Sequence, residues 1–191
     1  MRFYIIALLT LAQFITFAQK QPCKFEINTT DSLGVYKETP SHLVYEKVFG
    51  NSSQLVFLSI GSDNSTPFLK LQIIQKSKDF IIPKCIDKNS RIYFQLTNGK
   101  IYTLVNASND KCDNLIFNET DKENNRLLDC TFLFLKNDFE DLKKFPIMLM
   151  KIKLASDEKE YIISKELISE KINTKSNPES FFIDNLHCIM N

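Results

Sequence analysis

The chain has 191 residues, with 24 Lys plus Arg against 23 Asp plus Glu, 43% hydrophobic and 25% charged residues, and no tryptophan, the profile of one soluble globular domain. A net charge of +1 from interleaved acids and bases leaves no basic stripe for nucleic acid or an anionic membrane surface. Four glycines exclude a phosphate-cradling loop, and two histidines exclude the His-rich zinc sites and the HExxH helix.

At the amino terminus Arg2 precedes an apolar run over residues 3–11 that continues to Ala18, broken only by Gln13 and Thr16. Charge, then apolar residues, then the small residues of Thr16-Phe17-Ala18 is the order of a secretory signal peptide. Residues 1–18 are therefore expected to be removed, leaving a single domain over 19–191. Gln21 and Pro22, not a small residue, precede Cys23, which argues against a lipid anchor. The longest later apolar run, residues 146–152, is too short for a transmembrane helix, so no membrane contact is expected after signal removal.

Export to the periplasm or beyond places Cys23, Cys85, Cys112, Cys130 and Cys188 in an oxidising compartment, with one thiol left over. Spacing alone does not choose the pairs. Cys23 with Cys188 is preferred because the two bracket the domain and would staple its first strand to its last helix; the pairing of Cys85, Cys112 and Cys130 stays open.

Most of the chain reads as strands. Residues 23–28 alternate Phe25 and Ile27 with Lys24 and Glu26, and residues 43–49 and 54–60 are rich in branched and aromatic side chains. Turn clusters at 51–53 and 61–65 separate them, and strands over 68–75 and 79–82 follow, ended by Pro83. Asn98-Gly99 between two alternating runs predicts a hairpin with a two-residue loop. That register pairs Leu96 with Ile101, Phe94 with Thr103 and Ile92 with Val105 on the core face. Tyr93, Gln95, Thr97, Tyr102 and Leu104 then share the opposite face, and Tyr93, Tyr102 and Leu104 become a candidate contact patch.

Residues 109–125 are rich in Asn, Asp, Lys and Glu around a short island at 114–117 and read as a long mobile loop, followed by a strand over 127–135. A short helix over 138–145 is expected, with Asp138 as its cap, Phe139, Leu142 and Phe145 on one side and Pro146 as its stop. Met148, Met150, Ile152 and Leu154 alternate with Lys151 and Lys153 in a strand that turns at 156–158 and returns over 160–164. A helix over 165–172 and a second beginning at Asn177-Pro178-Glu179 complete the chain. The fold class is α+β: a mostly antiparallel sheet, a short helix before the late strand hairpin, and a carboxy-terminal helix packed on the sheet.

No GxSxG elbow is present, so that serine hydrolase class is disfavoured. His187 and Cys188 are adjacent on a helix and diverge by about 100°, which disfavours a nucleophilic dyad. The neighbouring acids Glu119 with Asp121, Glu140 with Asp141 and Asp157 with Glu158 sit among lysines as solvated faces do, and Asp110, Asp113 and Asn114 lack the DxDxDG order of a calcium loop. No cofactor or metal is expected. Sequons at Asn28, Asn51, Asn64, Asn106 and Asn118 matter only in a eukaryotic secretory pathway.

The signal ending in FAQ, the CKFEIN segment, the LTNGKIYTL hairpin, the YIIS strand and a cysteine close to the end together resemble uncharacterised exported proteins of flavobacteria and other Bacteroidetes. The resemblance implies Gram-negative export and a cysteine at each end, with no activity or catalytic residue to carry over. It favours periplasmic residence, because the chain ends in a predicted helix where many exported proteins of that phylum end in a sorting β-domain. The expected function is a non-catalytic binding or structural domain of the cell envelope with a protein or glycan partner. The rival is a hydrolase or small-ligand enzyme whose carboxylates converge only in the fold.

Overall fold

A computed structural model describes residues 22–32, 34–155 and 157–190. The expected signal peptide lies outside them. The chain begins with β1 (Ile27–Asp31), β2 (Gly34–Glu38), β3 (His42–Phe49), β4 (Ser52–Asp63) and β5 (Thr66–Ser77). Next come β6 (Cys85–Ile86), β7 (Arg91–Leu96), β8 (Ile101–Asn106), β9 (Lys111–Cys112), β10 (Asn114–Asn118) and β11 (Glu123–Phe134). β12 (Ile147–Lys153), β13 (Glu158–Ile162), β14 (Leu167–Ile168) and β15 (Lys175–Ser176) follow. A 3-10 turn, Pro178–Ser180, then opens α1 (Phe181–Ile189), as Asn177-Pro178-Glu179 predicts.

Eleven strands form one antiparallel sheet in the order β1-β2-β4-β5-β11-β8-β7-β12-β13, with β3 beside β4 and β10 beside β11. Its centre is three twelve-residue strands, β4, β5 and β11, whose inward positions are apolar and in register. Leu58 faces Leu71, which faces Cys130; Val56, Ile73 and Leu128 form the next row. The last residues of β11 pair with β8 and lead into the second layer, which contributes Ile92, Phe94, Leu104, Met150, Ile152 and Tyr161. At the other side Tyr45 meets Tyr161 edge-on at 4.8 Å, although β3 and β13 lie far apart in the pairing order. The sheet therefore curls over its own core. α1 enters between the layers: Phe182 lies 4.9 Å from Phe94 and 6.1 Å from Phe134, and Phe181 meets His42 at 5.7 Å. Each fully buried side chain of this size stabilises the fold by about 1.5–3 kcal/mol.

Several local expectations are corrected. The hairpin loop has three residues, not two: Leu96 N–H donates to the Lys100 carbonyl at 2.9 Å and Gly99 takes φ +84°. A left-handed glycine closing a three-residue loop is the next most common hairpin solution, and the one-residue slip turns β8 over. Tyr102 (6% exposed) and Leu104 (0%) go into the core, while Ile101 comes out at 60%. Tyr93 thus faces away from Tyr102 and Leu104, and the three form no common patch.

Residues 138–145 make one helical turn instead of a helix. Phe139 and Leu142 are anchored in the core, and Asp138 and Asp141 hold Lys100. Eight residues stopped by Pro146 gain too little from propagation to need more. Residues 165–172 contribute β14, paired with β15, because the buried Ser169 hydroxyl accepts the Lys171 and Ile172 amides and turns the chain. In β12 a bulge between Ile147 and Leu149 buries Ile147 and exposes Met148. Residues 79–82 are an extended loop, the strand expected over 23–28 begins at Ile27 with every residue exposed, and the loop expected over 109–125 contains β9, β10 and the start of β11.

Candidate functional site

Along each long strand the inward positions change from apolar to polar at one height. On β4 the run Ile60, Leu58, Val56 ends in Gln54; on β5 Leu69, Leu71, Ile73 ends in Gln75; on β11 Phe132, Cys130, Leu128 ends in Arg126. The pairings Gln54 with Gln75 and Gln75 with Arg126 bring these ends into one row. Lys47 of β3 sits opposite Gln54, and on β13 Lys159 stands two residues from the buried Tyr161. The core is thereby capped by a polar layer, and above it opens a cleft of about 730 Å³, within the size range of small-ligand sites.

The layer is tightly connected. Lys159 Nζ donates to Gln54 Oε1 at 2.9 Å, and the ammonium lies 5.1 Å from the Tyr161 ring and 5.5 Å from that of Tyr45. Gln54 Nε2 donates to Tyr161 Oη at 3.2 Å. Burial first, then the Lys84 and Lys47 ammonium groups, push the Lys159 pKa down, with Asp157 opposing. Burial likewise drives the Tyr161 phenol well above its ordinary range. Gln75 Oε1 is buried with no partner among the described residues.

One wall of the cleft is residues 78–84, and it is pinned. Arg126 Nε donates to the Ile81 carbonyl at 2.8 Å and Nη1 to Asp113 Oδ1 at 2.7 Å, while Asp113 Oδ2 accepts the Lys84 amide at 2.9 Å. Asn124 Nδ2 reaches the Asp79 carbonyl, Lys84 pairs with Asp157, and Cys85 and Cys112 are bridged directly across β6 and β9. Ile81 plugs inward, so Phe80 (77% exposed) and Ile82 (76%) stand out beside the mouth, with Phe49 (78%) on the facing β3–β4 turn.

The other expected residues lie elsewhere. Cys23 and Cys188 are bridged, with Cα atoms 5.5 Å apart. His187 Nε2 approaches Cys188 Sγ at 3.5 Å, closer than their helical spacing suggests, but that sulfur is committed to the bridge. The same trio is the one His/Cys/acid cluster with metal-ligand spacing among the described residues, and its two thiols are spent. Tyr93 remains on the outer face of β7, above a shallow groove of about 340 Å³ where Lys151 is already paired with Glu158 and Glu160.

The acids read as solvated faces each hold a partner. Glu119 pairs with Lys122, Asp121 with Asn118, Glu140 with Lys143 and Lys144, Asp141 with Lys100, Asp157 with Lys84, and Glu158 with Lys151. Asp113, considered for calcium, is consumed by Arg126.

A further buried acid, Glu38, accepts from Tyr36 Oη at 2.8 Å, Ser59 Oγ at 2.9 Å and Lys70 Nζ at 2.6 Å. Burial raises its pKa, but these three bonds outweigh it and hold the carboxyl below its ordinary value. The space beside it is only about 120 Å³. A saturated, ionised acid of this kind is a structural tie between β2, β4 and β5.

None of the polar-layer residues stands out as a motif; the signal is the end of each strand's inward apolar run. No helix among the described residues is long and apolar enough to cross a membrane. Comparison with protein-family models, with curated proteins and with solved structures gives no match.

Proposed function

We propose that this chain is an exported, non-catalytic binding domain that takes its ligand in the cleft above Gln54, Gln75 and Lys159. The signal-like amino terminus, the two disulfides and the resemblance to exported Bacteroidetes proteins support the export. The observation that carries the binding reading is a wall held open: Arg126, Asn124, Asp113 and the Cys85–Cys112 bridge fix residues 78–84 with Phe80 and Ile82 turned outward. Preorganisation of this kind lowers the ordering cost of binding. Against the hydrolase alternative, each carboxylate whose pKa is displaced is displaced downward, as for a structural acceptor and not a general acid.

The test is amide chemical-shift mapping with a small-fragment library, followed by mass analysis of the recovered fragments. Fragments should move the resonances of Gln54, Gln75, Phe80 and Lys159 and come back unaltered. Recovery of a converted ester, glycoside or peptide fragment would establish the enzyme reading instead.

A further inference from the structure

We infer that the cleft takes an anionic amphiphile, acidic head first, with Lys47 and Lys159 holding the head and Phe49, Phe80 and Ile82 flanking the chain. This rests on the reading of the cleft as a ligand site and adds its chemistry. The lining carries four lysines, Lys47, Lys76, Lys84 and Lys159, against two aspartates, Asp79 and Asp157, in a protein whose overall charge is +1. One of the two aspartates is already engaged by Lys84. Among the described residues no carboxylate lies within ion-pair distance of Lys47, Lys76 or Lys159.

Lys47 and Lys159 stand at inward positions on strands from the two layers, and their mutual repulsion, with Lys84, is what an anion entering between them would relieve. Gln75 also lines the cleft, and its amide offers a donor or an acceptor according to which way it is turned.

Polarity runs in the order of such a ligand. The half-buried Gln54, Gln75, Lys84 and Lys159 form the floor, and Lys47 stands nearer the rim with the strongly exposed Phe49, Phe80 and Ile82. A wholly apolar ligand would have to bury itself against unpaired ammonium groups, and a bare anion would leave Phe49, Phe80 and Ile82 idle. A single-chain carboxylate, sulfate or phosphate ester satisfies both ends.

Isothermal titration calorimetry of the mature oxidised protein tests this with four probes held below their micelle concentrations: decyl phosphate, decanoate, decyl maltoside and inorganic phosphate. The two anionic amphiphiles should bind saturably with one-to-one stoichiometry, and the neutral decyl maltoside and bare phosphate at least about tenfold more weakly. Lys159→Gln and Lys47→Gln should each weaken decyl phosphate about five- to tenfold while Lys159→Arg retains it, and Phe80→Ser should weaken decyl phosphate without affecting inorganic phosphate. An unshifted thermal transition in each variant shows that the fold is kept, and charge-retaining Lys159→Arg separates loss of charge from loss of packing.

Equal affinity for decyl maltoside, equal affinity for bare phosphate, insensitivity to both lysine variants, or no saturable binding would each overturn the inference. If amphiphiles fail while other fragments still map to the cleft, the ligand class alone is wrong. If nothing maps there, the binding reading fails with it.

Discussion

Cys130 is the free thiol among the described cysteines, and its surroundings disfavour the reactive thiolate. It is buried in the row of Leu58 and Leu71, with Sγ 3.8 Å from the Leu71 carbonyl. Burial, and then Asp129, push its pKa up to about 12. The folded protein should therefore not react with a thiol reagent near pH 8, about where a free cysteine does, and should expose one thiol per chain in denaturant.

Glu38 makes the opposite kind of statement. Replacing it with Gln removes the charge that holds Lys70, Tyr36 and Ser59, at an expected cost of about 1–3 kcal/mol in urea unfolding near neutral pH. The folded pKa lies below the ordinary 4.5, so the stabilisation is present above that value and is lost as pH falls through the folded pKa. The gap between wild type and Glu38→Gln should be flat around neutral pH and close as pH falls below 4.5 through the folded pKa.

At the scale of elements, β10 is the exposed feature. Among the described residues it pairs with β11 alone; it is neutral, and presents Leu115 and Phe117 on one face and Ile116 on the other, all exposed. An apolar, uncharged edge is a template for strand addition. Ile116→Lys, on the face away from the cleft, should lengthen the lag before aggregation in light scattering while shifting stability by no more than about 0.5 kcal/mol. An unchanged lag would exclude this edge as the aggregation route. The strand is hard to see in the sequence because its apolar island is short. What folds it back is the Asn118 side chain accepting the Thr120 amide at 3.0 Å, followed by Lys122 at φ +53°.

At the scale of the whole molecule, the two disulfides close loops of very different length, with sequence separations of 165 and 27. In the chain-entropy model these stabilise by about 5 and about 3.5 kcal/mol, upper figures because the unfolded chain retains structure. Replacing Cys23 and Cys188 together by Ser should cost more stability than replacing Cys85 and Cys112. The former should leave ligand binding intact, whereas the latter should weaken it by loosening residues 78–84. Chemical denaturation of each oxidised variant, with fragment titration alongside, checks both halves of this expectation. Since the bridges lie in different parts of the fold, the stability losses should add within about 0.5 kcal/mol.

What the sequence determined by itself is local and periodic. Alternation along residues 54–60, 68–75 and 127–135 marks strands with an apolar face, and Asn177-Pro178-Glu179 marks the turn that opens α1, because side-chain direction in a strand and the fixed φ of proline need no distant partner. Tertiary structure decided everything that depends on register. Whether Tyr102 or Ile101 faces inward turns on one residue of loop length, and both loops suit an Asn-Gly sequence, so pairing of β7 and β8 with their neighbours makes the choice. The cleft is of the same kind. Gln54, Gln75, Arg126 and Lys159 each end an apolar run that is legible in its own strand, yet they become one surface only because antiparallel pairing across β4, β5 and β11 and the curl of the sheet bring those ends to one height.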